Sequence, residues 1–293
     1  MVRDALVAAH GEAALGGVPE LVTVKTSGDR IQDRPLRDVG GKGLFTKEIE
    51  DTLLAGAIDI AVHSAKDMPT IARDGLMLAG ALPREDVRDV LITRDGVTLE
   101  GLARGARVGT TSLRRQAQLL RRRPDLQVED LRGNVGTRLA KLENGVLDAI
   151  VLARAGLARL GLSPKGAVVL AAHDMLPAAG QGTIGLEVRA GDVWAARLAG
   201  AISHPASFEA LRAERTVLAV LNGSCRSPIG AHALIADDRI HIQALVLTPD
   251  GREAFGAMRE GACEEAQALA LAVGEDIRAK APPAFVAALL SGE

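Results

Sequence analysis

One of the chain's two cysteines, Cys225, lies in a setting that suits chemistry better than packing. It occupies the stretch NGSCRSPIG (222–230), which is too polar and too rich in glycine to form a core. A thiol in such a loop is either a tolerated loop cysteine or a nucleophile or covalent attachment point. The other cysteine, Cys263, shares a helical spacing with apolar residues, which predicts a buried core thiol.

Arginines at the start of a predicted helix form the first part of a candidate anion site. In GTTSLRRQ (109–116) a strand ends, and Thr111 or Ser112 can cap the helix that follows. Arg114 and Arg115 then fall in the first helical turn. The helix dipole disfavours a cation there by ~0.3–1 kcal/mol, which a nearby anion would offset.

The stretch LRGNVGTR (131–138) repeats this arrangement with Arg132 at the end of a strand and Arg138 in the early turns of a helix. These arginines are either solvated surface residues or part of one binding site. We favour the site, because ligands of open α/β sheets gather at the carboxyl ends of the strands. Arginine binds carboxylates and phosphates equally well in geometry, so the chemistry of the anion stays open.

A carboxylate with a lysine beside it follows the apolar run IDIAVHS (58–64), which predicts a buried strand. Lys66 and Asp67 come directly after that strand, and Pro69 ends regular structure. Asp67 could act in acid–base chemistry or stabilise a cation, or the two residues could be a structural pair. His63 alternates with the apolar face, and we interpret it as structural.

Length and composition restrict the class of protein. The chain has 293 residues with 47% hydrophobic and 25% charged residues, which predicts a globular protein of two or three domains. Four Phe, one Trp and no Tyr leave no stacking platform for single-stranded nucleic acid. No apolar run approaches a membrane span, and no metal site is indicated by the cysteine spacing. We expect a cytoplasmic monomer.

Positive charge is concentrated in the middle of the chain, which supports an anionic ligand. Residues 88–176 contain thirteen Arg and two Lys against nine Asp and Glu, a net charge of +6, whereas the whole chain carries −2. Strand-like and helix-like patterns alternate up to about residue 176, which predicts α/β units with a parallel sheet. Strand-like runs are predicted at 21–26, 58–64, 89–93, 106–110, 126–131 and 147–153, and helices at 44–56, 112–123 and 135–145.

The last ninety residues change character. A helix at about 206–221, strand-like runs near 229–236 and 240–247, and a helix at 263–277 predict a small α+β unit with an antiparallel sheet. The stretches LPREDVR (82–88) and ISHPAS (202–207) carry proline and charge, which is typical of domain boundaries.

Six motifs together resemble the porphobilinogen deaminase family, also called hydroxymethylbilane synthase. They occur in the family's order and spacing and cover almost the whole chain: VGGKGLFTKEIE, DIAVHSAKDMPT, GTTSLRRQAQL, LRGNVGTRLAKL, PAAGQGTIGLE and GSCRSPIGA. The resemblance implies a transferase that condenses four porphobilinogen molecules with loss of ammonia. They are added to a covalent dipyrromethane cofactor, and the enzyme then releases hydroxymethylbilane for haem and other tetrapyrroles.

The resemblance also implies roles for individual residues. Cys225 matches the cysteine that forms a thioether to the cofactor, and Asp67 matches the catalytic carboxylate that stabilises positive charge formed on deamination. Each pyrrole carries acetate and propionate groups, so the growing chain is a polyanion. The remaining matches are cofactor-binding or substrate-binding positions: Lys66, Ser112, Arg114, Arg115 and Arg132 for the cofactor, and Arg138, Arg159, Thr110, Gln181, Phe45 and Asp29 for the substrate.

The family fold implied is α/β, with two domains like those of periplasmic binding proteins and a small α+β C-terminal domain. The expected domains are 1–82 together with 183–200, then 88–176, and then 205–293 with the cysteine loop. The N-terminus departs from the family, because MVRDALVAAHGEAAL matches its first helix and the preceding strand, with an Arg and a Ser, has no counterpart. We interpret this as a start set too late or a truncated form.

Two other classes of function remain open on the residues alone. A non-catalytic or truncated anion-binding protein of the same fold would use the same arginines and leave Cys225 unmodified. An amide-hydrolysing enzyme would use Ser64 and Lys66. Fold analogy does not decide among these, because function depends on the site.

Overall fold

The first sheet brings together segments that are distant in sequence. A computed structural model describes residues 1–30, 43–224 and 227–291, without the side chains of 29, 30 and 288–291. Strand β8 (Ile184–Arg189) lies between β1 (Ala61–Ser64) and β2 (Leu76–Ala81), and both pairings are antiparallel. A short 3₁₀ helix, Ala65–Asp67, follows β1 directly. The helices of this part of the chain are α1 (Val2–His10), α2 (Glu12–Leu15), α3 (Ser27–Arg30), α4 (Lys47–Leu54) and α8 (Val193–Ala201).

The second sheet is mixed, and most residues of its central strands are buried. Its order is β5-β4-β6-β3-β7. The β5, β4 and β6 strands are parallel, whereas β3 is antiparallel to β6 and β7. Its elements are β3 (Asp89–Thr93), β4 (Arg107–Gly109), α5 (Leu113–Arg122), β5 (Gln127–Glu129), α6 (Val135–Glu143), β6 (Ala149–Ala153), α7 (Arg154–Arg159) and β7 (Ala167–Val169).

The C-terminal part is an antiparallel three-stranded sheet with helices packed on it. The order is β11-β10-β9, and apolar residues of β9 and β10 form one core with those of α9 and α10. Cys263 is half-buried and packs against that core, so the prediction of a fully buried thiol is wrong in degree. The elements are α9 (Pro205–Val220), β9 (Ile229–Ala236), β10 (Arg239–Leu247), β11 (Ala254–Ala262), a 3₁₀ turn Cys263–Glu265, α10 (Ala266–Lys280) and α11 (Pro283–Ser291).

One buried carboxylate joins the connecting segments to the C-terminal sheet. Glu214 of α9 is fully buried and accepts hydrogen bonds from the Arg84 guanidinium at 2.7 and 3.1 Å. It also accepts from the backbone N–H of Gly180 at 2.6 Å and of Ala233 at 2.7 Å. These donors come from the segment after β2, the segment before β8 and strand β9. We call these four residues the Glu214 cluster.

The α/β class with a small α+β unit at the C-terminal end is confirmed, but two details of the prediction are wrong. Residues 21–26 form no strand among the described residues, and Leu21 and Val22 are exposed. An alternating pattern is compatible with a strand, but a strand also needs a hydrogen-bonded neighbour. The expected parallel sheet is antiparallel at β1, β8 and β2 and mixed in the second sheet. The domain limits given above remain a prediction.

Candidate functional site

The start of α5 places two arginines where the sequence predicts them. Ser112 is the helix cap, and its hydroxyl accepts from the backbone N–H of Arg115 at 3.4 Å. The hydroxyl of buried Thr110 accepts from the backbone N–H of Ser112 at 3.1 Å, which fixes the turn between β4 and α5. Arg114 and Arg115 are themselves buried, so neither is a solvated surface residue.

A carboxylate that sequence reasoning missed lies between these arginines. Asp89, the first residue of β3, is fully buried and accepts from Nη2 of Arg114 and Nη2 of Arg115, each at 2.8 Å. Gln181 donates its Nε2 to the same carboxylate at 2.8 Å. Part of the countercharge expected from a ligand is therefore supplied by the protein.

The direction of β3 explains why Asp89 lies there. Because β3 is antiparallel to β6, its first residue, Asp89, pairs with Ala153, the last residue of β6. Asp89 therefore lies at the edge of the sheet where the parallel strands end. Burial alone raises the pKa of the Asp89 carboxyl, but the charges and hydrogen bonds of Arg114 and Arg115 outweigh it. The net pKa lies well below the ordinary value, so the carboxylate stays charged at neutral pH. The sequence signal is weak: one acidic residue at the start of the apolar run DVLIT.

Lys66 and Asp67 approach the arginines from the first sheet. Burial is the main cause of the lowered pKa of Lys66. Arg115 and Arg114 lower the pKa of Lys66 further, and the carboxylates of Asp67 and Asp89 oppose them. Asp67 is half-buried and accepts no hydrogen bond from the described residues. His63 is buried and bonded to Glu187 at 3.0 Å, in agreement with its structural interpretation.

The remaining predicted arginines extend this positively charged group, which lies where residues of the first and second sheets meet and which we call the cleft. Burial, and next the charges of Arg115 and Arg132, lower the pKa of Arg138, while Asp67 opposes them. Arg138 donates Nε to the carbonyl of Gly133 at 2.8 Å. Arg159 donates Nη2 to the carbonyl of Gly182 at 2.7 Å, and burial lowers its pKa.

Several cleft side chains have polar atoms without partners. An Nε atom that is buried and has no hydrogen-bond partner among the described residues is found in Arg114, Arg115, Arg132 and Arg159. The Oε1 atom of Gln181 is likewise buried and has no hydrogen-bond partner among the described residues. A buried donor without an acceptor costs about 1–3 kcal/mol, so such atoms indicate a missing partner. A ligand with several carboxylates fits this set of cationic donors.

The cysteine loop is attached close to Asp67 in the fold. Cys225 lies outside the described residues, but Gly223, two residues before it, is described. Its carbonyl accepts from the Thr70 hydroxyl at 2.5 Å. Arg215 of α9 donates Nη2 to the carbonyls of Pro69 at 2.7 Å and Thr70 at 3.0 Å. The loop and the segment after Asp67 are thus held together.

Two predicted positions gain less support from the geometry. Phe45 is half-buried before α4 and packs closely on Gly28, where a Cβ would lie 2.3 Å from the Phe45 ring. The Asp29 side chain lies outside the described residues. The closeness of Phe45 and Asp29 to the substrate stays a prediction.

Comparison with known proteins identifies the family. The model of the porphobilinogen deaminase dipyromethane cofactor binding domain matches residues 1–197, and that of its C-terminal domain matches residues 208–279. The chain belongs to the porphobilinogen deaminase family. Porphobilinogen deaminase of Nitrobacter winogradskyi is 52% identical over 97% of this chain and 89% of that protein. The protein of that name from Paracoccus denitrificans is 50% identical over 97% of this chain and 90% of its own.

Solved structures give a more distant likeness. The periplasmic VFT2 domain of Bordetella pertussis BvgS is 18% identical with a TM-score of 0.41, over 69% of this chain and 76% of that one. An ancestral cationic amino acid solute binding protein is 16% identical, also with a TM-score of 0.41, over 68% and 76%.

Membership of the porphobilinogen deaminase family confirms the predicted function, a transferase of tetrapyrrole synthesis that makes hydroxymethylbilane on a dipyrromethane cofactor. The comparisons give no support to the alternative of a non-catalytic anion-binding protein. The residues fit the cofactor, because its carboxylates match the unpartnered arginine donors of the cleft. Among the described residues no three His, Cys, Asp or Glu side chains are placed to hold a metal ion, and no helix there is long and apolar enough to cross a membrane.

Proposed function

We propose that this chain builds its tetrapyrrole chain in the cleft between the first and second sheets, with Asp67 as the catalytic carboxylate and Cys225 as the cofactor attachment point. The observation that carries the proposal is the set of unpartnered Nε atoms on cleft arginines. These donors lie on the side of the second sheet, and Asp67 faces them from the first. A polyanion held by the arginines would therefore lie beside the carboxylate.

The arginines bind and orient the acid groups of the pyrroles. Porphobilinogen carries one acetate and one propionate, and each carboxylate can accept two parallel hydrogen bonds from a guanidinium. Arg114, Arg115 and Arg132, with Lys66 and Ser112, would hold the cofactor. Arg138 and Arg159, with Thr110, Gln181, Phe45 and Asp29, would hold the substrate. Dipyrromethane, when bound, supplies the unsubstituted pyrrole carbon to which new units are joined.

Asp67 supplies the negative charge at the reacting end of the substrate. Loss of ammonia from porphobilinogen leaves a positive charge shared between the methylene carbon and the pyrrole nitrogen. A carboxylate that accepts a hydrogen bond from the pyrrole N–H stabilises that charge. Asp67 has its oxygens available for this role because no described residue donates to them. Lys66, its neighbour in the same 3₁₀ helix, faces the arginines and adds a donor for an acid group.

The attachment of Cys225 is tested by intact mass under denaturing conditions. We expect the purified wild-type chain to carry the added mass of two linked pyrroles and the Cys225→Ala variant to lack it. Cys263→Ala is the matched control, because Cys263 lies on the core of the C-terminal sheet and should leave the adduct in place. An unmodified wild-type chain, or an adduct that persists in Cys225→Ala, would contradict the proposal.

A second arm separates this chemistry from amide hydrolysis at Ser64 and Lys66. Ser64 is exposed at the end of β1, and we expect Ser64→Ala to retain porphobilinogen consumption. Loss of activity in Ser64→Ala with an unaffected Cys225→Ala variant would favour the hydrolase.

We also propose that the three sheets correspond to domains 1–82 with 183–200, 88–176 and 205–293, in a cytoplasmic monomer that binds porphobilinogen and no nucleic acid.

A further inference from the structure

Asp89 connects more of the cleft than any residue predicted from the sequence. Its carboxylate accepts from Arg114, Arg115 and Gln181, each at 2.8 Å. The other terminal nitrogens of the two guanidiniums are held by backbone carbonyls, Nη1 of Arg114 by Leu176 at 2.7 Å and Nη1 of Arg115 by Val151 at 3.1 Å. Each guanidinium is therefore clamped from two directions.

We propose that Asp89 is a positioning residue that fixes Arg114, Arg115 and Gln181 in their ligand-binding arrangement and balances the positive charge beside Lys66. This inference rests on the proposed function of the cleft. Asp89 is fully buried between these side chains and acts through them, not on the substrate itself. Its role differs from that of Asp67, which has no described donor and is left for the ligand.

The clamp matters because the two arginines are like charges held side by side. Without the carboxylate, both Nη2 atoms lose their acceptor, and the guanidiniums would repel each other in a buried site. They would then turn toward other acceptors and away from the positions that present the unpartnered Nε atoms. Binding of a carboxylate ligand would become weaker, whereas the chemistry at Asp67 would change less.

Asp89 also affects the charge of Lys66. The charged groups that face Lys66 are Asp67, Asp89, Arg114 and Arg115. Burial lowers the pKa of Lys66, and Asp89 is one of two carboxylates that raise this pKa. Removal of the Asp89 charge lowers that pKa further. Lys66 would then lose its proton at a lower pH, and its hold on the acid groups of the cofactor would weaken from a lower pH as the solution becomes more alkaline.

The test compares Asp89→Asn with wild type in the full chain, using steady-state kinetics with porphobilinogen over a range of pH and intact mass for the adduct. We expect the adduct-bearing fraction to fall, because Arg114 and Arg115 are assigned to the cofactor. We expect KM to rise by about 10- to 100-fold, because Gln181 is assigned to the substrate and loses a charged hydrogen bond. We expect kcat per adduct-bearing molecule to change less. We expect the alkaline limb of the pH profile of kcat/KM to move to lower pH. The control is Asp125→Asn, which removes a carboxylate paired with Arg123 at 2.8 Å away from the cleft.

A folded Asp89→Asn variant with wild-type KM and alkaline limb would overturn the inference. If the Asp89→Asn variant does not fold, the Asp89→Glu variant tests the inference in its place, since it keeps the negative charge but displaces the carboxylate. We expect it to raise KM and leave the alkaline limb in place, and a wild-type KM would overturn the inference. The proposed function fails separately, if wild type itself carries no adduct and does not consume porphobilinogen.

Discussion

Asp67 and Lys66 are neighbours in the chain but have different partners in the fold. Lys66 faces the Asp89 carboxylate and both α5 arginines, and burial lowers its pKa. Asp67 accepts no hydrogen bond from the described residues, and Arg138 is close enough for its pKa to respond to the Asp67 charge. At the residue scale, the lysine lies among the protein's own charged groups, whereas no described residue donates a hydrogen bond to the Asp67 carboxylate.

This difference predicts the effect of Asp67→Asn. The amide keeps the size of the side chain but loses the charge that stabilises the deaminated substrate, so we expect kcat to fall by about 10²- to 10⁴-fold. KM should change little because the arginines are intact. The measurement is steady-state kinetics corrected for the fraction that carries the adduct. Asp74→Asn removes an exposed carboxylate and serves as control; a kcat equal to wild type in Asp67→Asn would argue against a catalytic role.

The sequence predicts the charged residues of the cleft better than their partners. The sequence predicts one location for four arginines because each comes after a predicted strand: Arg114, Arg115, Arg132 and Arg138. It does not predict Asp89 there, because the position of Asp89 depends on β3 running antiparallel to β6, which no local pattern encodes. Because β3 pairs with β6 in this way, Arg114 and Arg115 form buried ion pairs with Asp89 and do not carry uncompensated charge.

At the scale of elements, a side-chain hydrogen bond joins the Asp67 segment to the described part of the cysteine loop. The Thr70 hydroxyl donates to the Gly223 carbonyl, and Arg215 holds the Thr70 backbone from the other side. The helix α9 thus supports the segment after β1, and that segment supports the loop. We expect this chain of contacts to align the cysteine loop with the segment that carries Asp67.

Thr70→Val tests that alignment, since it replaces the hydroxyl with a methyl group of similar size. We expect adduct formation or kcat to fall by about 2- to 10-fold, as for the loss of one neutral hydrogen bond. The measurement is the adduct fraction by mass together with kcat. Thr98→Val, at an exposed threonine that accepts from Gly101, is the control. No difference from wild type in both quantities would show that the loop is aligned by other contacts.

Element type was more predictable than element pairing. The helices at α5, α6 and α9 and the strands β3, β6, β9 and β10 lie close to their predicted limits because each has a clear apolar period or cap. Residues 21–26 have the same alternation but form no strand, and the sheet directions differ from the prediction. Pairing depends on which distant segments meet, and that information is not present in a local window.

At the scale of the whole molecule, the segments after β2 and before β8 are joined to the C-terminal sheet through the buried Glu214 cluster. Arg84 forms a two-pronged ion pair with Glu214, and two backbone N–H groups complete the acceptor sites. Buried ion pairs of this type are costly to break on one side because the remaining charge is left without a partner.

Glu214→Ala is therefore expected to lower the free energy of unfolding by about 3–5 kcal/mol, because it leaves Arg84 uncompensated. Chemical unfolding at neutral pH measures the change. Glu260→Ala is the matched control, since Glu260 forms an exposed pair with Arg239 at 2.8 Å and should contribute about 0–1 kcal/mol. A loss in Glu214→Ala no larger than in the control would show that the junction is held by other contacts.

The Glu214 cluster also sets an order for completing the protein during synthesis. Arg84 precedes Glu214 by 130 residues, and Ala233 follows it by 19. The N-terminal portion of a chain leaves the ribosome first and begins to fold before the remainder exists. A nascent chain that ends before Glu214 can contain every described strand of the first two sheets and still lack the carboxylate that Arg84 and Gly180 bind. The cluster can close only after Ala233 of β9 has been synthesised.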